Sequence, residues 1–81
     1  MKRPVVTVTV TDAASVVVGQ SVKQAFNSGI HESERIVREI ARSEFTLYSG
    51  GDPVRVGNVY TRAWVSDHDS RSLTAVIEVS A

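Results

Sequence analysis

Three residues of this 81-residue chain have types and spacing suited to recognition: Tyr60, Arg62 and Trp64. They alternate along an extended segment, so they project from one side of it. Aromatic rings interleaved with arginine are how sheet-based modules stack single-stranded bases. Trp, Tyr and Arg are also the residues that protein interfaces enrich. A third reading places Trp64 in the core, with the faces of the strand reversed. Interface ranks above core, and core above nucleic acid. Basic and acidic residues number nine each, the formal net charge is zero, and Glu78 is expected beside the patch. The binding set expected on this reading is Tyr60, Arg62, Trp64, Val76 and Glu78.

The remaining groups with chemical potential are weaker. Asp67-His68-Asp69 puts two carboxylates and an imidazole within three positions. A calcium loop starting at Asp67 has its Glu at position 78, but Arg71 stands where an oxygen ligand belongs and residues 73–78 read as strand. Zinc needs further ligands, and His31 is the other imidazole of the sequence. A solvated turn explains the segment more simply. His31, Glu32 and Glu34 read as the polar opening of a helix, where acids favour the positive end of the dipole. Gly50-Gly51 is not followed by the lysine of a phosphate loop, and none of the ten serines has a nucleophile-elbow context. No catalytic residue, metal site or cofactor is expected.

The elements that must position these residues follow from periodicity. Residues 5–10 alternate, with Val6, Val8 and Val10 inward and Val5, Thr7 and Thr9 outward. Residues 11–29 admit two readings. One is a helix capped by Thr11 or Asp12 and closed at Gly29; the other is a short strand over 15–18 in a hairpin, followed by a helix over 20–27. Three consecutive valines and Gly19 weigh against the long helix. A helix over 20–26 is expected, and 13–19 stays open. Residues 31–44 predict a helix with Ile36, Val37, Ile40 and Ala41 as its buried stripe and Ser28 or Ser33 as cap. Its outer face offers Glu34–Arg38 and Arg35–Glu39 pairs. Strands are expected over 45–49, 54–66 and 73–80, separated by a Gly-Gly-Asp-Pro turn and a polar loop over 67–72, with Gly57 and Asp52-Pro53 as points where the long strand bulges or breaks. The expected core is Val8, Val22, Ile36, Ile40, Leu73 and Ile77.

Length and composition bound the answer. A chain this short holds one core, so 1–81 is read as a single domain and, starting at Met1, as a whole small gene product. Apolar content of 42% with balanced charge excludes disorder, and zero net charge excludes binding nucleic acid or anionic membrane by bulk charge alone. No run of 18 apolar residues and no signal-peptide core is present, which points to the cytoplasm. Without cysteine there is no disulfide, thiolate metal site or Cys nucleophile. Seven arginines against two lysines suggest a G+C-rich coding sequence, compatible with a phage or other small-genome origin. The expected fold is α+β: one mostly antiparallel sheet of four to five strands with one or two helices on one face. The expected function is that of a small non-catalytic protein-binding module. It would self-associate through an open sheet face, as an assembly component or a host-directed inhibitor. The alternative is a single-stranded nucleic-acid binder using the same aromatic and arginine residues.

Overall fold

The alternation of Val6, Val8 and Val10 with threonine builds the central strand, and those three valines are buried. The computed structural model describes residues 5–23, 28–68 and 71–80. These form β1 (Val5–Asp12), β2 (Val17–Lys23), α1 (Ser28–Glu44), β3 (Tyr48–Gly50), β4 (Val54–Val56), β5 (Val59–Ser66) and β6 (Ser72–Ser80). All pairings are antiparallel, in the order β2-β1-β6-β5-β3, with β4 also on β5. The α+β class is as expected, with six strands in place of four to five and a single helix among the described residues.

Asp12 does not cap a helix. Its Oδ1 accepts the amides of Ala14 at 2.9 Å and Val16 at 3.0 Å, which turns the chain into β2. An aspartate that can accept nearby amides serves a turn as well as a helix start. The helix expected from residue 20 is therefore replaced, over Gln20–Lys23, by strand; the rest of it lies outside the described residues. Gly19 fits that strand for a steric reason. A Cβ there would collide with Cγ2 of Ile36, so α1 crosses β2 where β2 has no side chain. Opposite Thr11, β2 carries one extra residue, and this bulge at Val17–Val18 turns Val17 away from the helix and Val18 towards it.

The helix starts at Ser28, three residues earlier than expected. Ser33 is not its cap: it is fully buried one turn in, and its hydroxyl donates to the Ile30 carbonyl at 2.7 Å. Ile36, Val37 and Ala41 are buried as the stripe required, with Ile40 packed at its margin. The end is a Schellman closure. Thr46 N donates to Ala41 O at 3.0 Å, Phe45 N to Arg42 O, and Phe45 takes φ of 53°. Phe45 thus ends the helix in the left-handed region and begins no strand; β3 starts at Tyr48.

The strand expected over 54–66 is two strands. Gly57 at φ 61° and Asn58 form a two-residue hairpin loop, the arrangement of a type II′ turn. β3 and β4 then lie end to end along one edge of β5, pairing with 64–66 and 59–61. Between them the Gly51 amide holds the Ala63 carbonyl at 2.8 Å. The helix covers one face of the sheet, over Val6, Val8, Val10, Leu73, Ala75 and Ile77. Val22 does not join this core. It pairs with Thr7, whose side chain lies on the far face, and it is 62% exposed.

Candidate functional site

On β5 the register decides which side chains meet the helix. Trp64 pairs with buried Leu73, Arg62 with Ala75 and Tyr60 with Ile77, so all three project towards α1. Trp64 is only 8% exposed and belongs to the core. This corrects the face assignment: Tyr60, Arg62 and Trp64 lie on the helix-bearing side of the sheet, while Val76 and Glu78 lie on the opposite side with Thr61 and Val59. The expected binding set is split across the two faces of the sheet. Burying Trp64 and Tyr60 removes far more apolar area from water than burying Ala63 and Thr61 would.

Arg62 is a charged residue on the covered side of the sheet, and its partners there hold it. Its Nη1 pairs with Glu34 at 2.9 Å, its Nε donates to the Gly51 carbonyl at 2.7 Å, and its guanidinium lies 4.3 Å from the centre of the Trp64 ring. The stem is covered while the head has a carboxylate, a carbonyl and a ring face as partners. Glu34 therefore turns to the sheet and does not pair with Arg38 as helical spacing suggested. Arg55 similarly stacks on Tyr60 at 5.4 Å. The expected Arg35–Glu39 pair forms at 2.7 Å, and Arg35 also bonds Glu32. Hydrogen bonding to Glu32, with the charges of Glu32 and Glu39 adding to it, raises the Arg35 pKa above its ordinary value. Nothing in sequence spacing pointed to the Arg62–Glu34 pair, whose members are 28 residues apart.

The other sheet face is uncovered. Alternation and register place Thr7, Thr9 and Thr11 of β1 there, with Gln20 and Val22 of β2 and Thr74, Val76 and Glu78 of β6. β5 contributes Val59, Thr61, Ala63 and Val65, and β4 contributes Val54 and Val56. Val56 is 75% exposed, and Val54, Val17 and Val65 are also largely exposed. Among the described residues, the charges on this face are confined to its ends, Glu78 on β6 and Asp67 beyond β5, whose carboxylate meets Ser49.

The polar loop shows local chemistry. Asp67 Oδ1 accepts the Ser49 hydroxyl at 2.9 Å, and the His68 amide reaches Ser66 Oγ at 3.3 Å. Asp69 lies outside the described residues. His31 is exposed on the first turns of α1. Among the described residues no three His, Asp or Glu groups converge as metal ligands. No helix among them is long and apolar enough to cross a membrane. A cavity of about 520 Å³ opens between the C-terminal end of α1 and the β1–β2 turn, floored by Val18, Ile40 and Leu73. The carboxylate at its rim is engaged: Glu44 Oε2 accepts the Tyr48 hydroxyl at 2.6 Å and pairs with Arg71 at 3.1 Å. A second cavity, of about 410 Å³, lies between α1 and Trp64. No protein-family model, no curated protein and no solved structure matches the chain.

Proposed function

We propose that this chain is a non-catalytic, cytoplasmic protein-binding module that pairs with a second copy of itself through the uncovered sheet face. The observation that carries the reading is the near absence of charge from that face, in a sequence that is 22% charged. Such segregation is the compositional mark of surfaces that lose their water on binding. Area supports it. Five strand positions at about 4.8 Å spacing, and about seven residues at about 3.4 Å rise, give roughly 570 Å² per copy. A pair buries about 1,100 Å², just above the roughly 1,000 Å² expected of a specific interface. Zero net charge means two copies do not repel. Closed two-fold pairing is the commonest soluble assembly, and a flat face meets its own copy readily.

The residues assigned to this interface change accordingly. Val76 stays, at the middle of the face between Thr9 and Thr61, and Glu78 stays towards its end. Tyr60, Arg62 and Trp64 leave it. Base stacking requires exposed rings, and the burial of Trp64 takes away one of the two rings of β5 on which a nucleic-acid reading rests.

Sedimentation equilibrium of the whole chain tests the proposal. Dimer is expected, and Val76→Lys should weaken it by roughly thirty-fold or more if the site is central. Circular dichroism of the variant should match the parent. A parent that stays monomeric at several hundred micromolar, or a Val76→Lys dimer as tight as the parent's, would refute the assignment.

A further inference from the structure

The cavity between α1 and Trp64 has a charge pattern of its own. Val37, Ala41 and Leu47 line it with the Trp64 ring. Glu34 and Arg38 stand at the polar part of the wall. Glu34 is neutralised by Arg62 at 2.9 Å. Arg38 is exposed and makes no ion pair or side-chain hydrogen bond among the described residues. The local balance is therefore one uncompensated positive charge beside an apolar pocket. The Trp64 Nε1 is buried without an acceptor, the one such side-chain nitrogen or oxygen among the described residues, and has no surface open to the cavity, so the ring meets a ligand as an apolar wall.

We infer that this cavity binds a small organic monocarboxylate with an apolar body, its carboxylate on Arg38 and its body along Val37, Ala41, Leu47 and the Trp64 ring. The cavity volume of about 410 Å³ falls within the usual range for small-molecule sites, roughly 300–1,000 Å³. Arginine's planar fork matches a carboxylate, and its stem extends the apolar wall. An acceptor oxygen is favoured by the free guanidinium, which has no carboxylate of the chain to answer it. A cationic head would meet Arg38 and have only the engaged carboxylate of Glu34 to turn to. The site lies on the helical side of the sheet, so it is independent of the self-association proposed above.

Octanoate is the probe, titrated into the full chain. Trp64 is the sole tryptophan, so its fluorescence reports on this wall directly. Saturable binding is expected. Arg38→Gln, on an exposed position of α1, should weaken octanoate roughly tenfold, the weight of a charge-assisted hydrogen bond. Octylamine should bind more weakly than octanoate in the parent. No saturable response to octanoate at millimolar concentration would overturn the inference. Equal binding of octylamine would do the same, as would octanoate affinity unchanged in Arg38→Gln.

Discussion

Truncating Trp64 separates its two contributions, the apolar ring and the buried N–H. Trp64→Ala removes a side chain of which 92% is covered and which packs against Leu73 and under Arg62. Large-to-small changes at such positions cost about 3–5 kcal/mol. An 81-residue domain has a total stability of roughly 4–12 kcal/mol, so this variant should lose a large share of it and unfold at clearly lower urea. Trp64→Phe should behave very differently. The smaller ring leaves about 40 Å² less apolar contact, near 1 kcal/mol, and a weaker stack under Arg62, a few tenths more. Against this, it deletes the donor that has no acceptor, which relieves about 1–3 kcal/mol of desolvation. The two terms offset, and Trp64→Phe should fall within about 1 kcal/mol of the parent. Urea unfolding followed by far-ultraviolet circular dichroism measures both, since neither variant keeps the fluorophore. A Trp64→Ala loss under about 1 kcal/mol would mean that Trp64 is not core. A Trp64→Phe loss above about 2 kcal/mol would mean that the indole N–H is satisfied in solution.

Two backbone positions give further tests. Phe45 sits at φ 53° and is 92% exposed, so its ring packs against little while its Cβ strains the left-handed helix end; Phe45→Gly should raise stability by about 1 kcal/mol, read as a higher melting temperature, and a drop would mean the ring is covered. Gly19→Ala should destabilise by about 1–3 kcal/mol through the clash with Ile36; combined with Ile36→Ala the two losses should be clearly less than additive in chemical denaturation, because the second change removes the atom the first one strikes.

Legibility in the sequence tracked how local the deciding interaction was. The β1 alternation and the Ile36-Val37-Ile40-Ala41 stripe report one element meeting one core, and both were readable. Residues 11–23 were not, because Asp12 accepts amides equally well in a helix cap and in a turn, and Gly19 looks like a helix breaker until Ile36 is seen above it. Gly57-Asn58 carried a readable hairpin signal, but the β-branched residues on both sides made one long strand look simpler. On β5 the pattern separated two faces without saying which was inward. Val59, Thr61, Ala63 and Val65 look like a core face because they lack charge. The opposite face could be buried only because Glu34 and the Gly51 carbonyl receive Arg62, partners 28 and 11 residues away. The open face was expected correctly as a surface and assigned the wrong side of β5.

The content of that face bears on how strong the proposed pairing is. Its centre is rich in hydroxyls, with Thr7, Thr9 and Thr11 on β1 beside Thr74 on β6 and Thr61 on β5, around Val76. Its most exposed valines lie towards the edges, Val17 and Val22 on β2, Val54 and Val56 on β4. Threonine hydroxyls stay hydrated in the single chain, so the face does not force collapse as a sheet of valines would. On pairing, those same hydroxyls must either bond across the interface or give up water, which limits the gain per unit area. An interface of about 1,100 Å² with a hydroxyl-rich middle belongs with the small, reversible class, not with obligate dimers that resemble a core cut in half. The monomer fold stands without it, because Trp64, Leu73, Ala75 and Ile77 close the core on the helical side alone. Folding and the proposed pairing thus call on opposite faces of the same strands, so a charge at Val76 should abolish the pairing while leaving the fold intact.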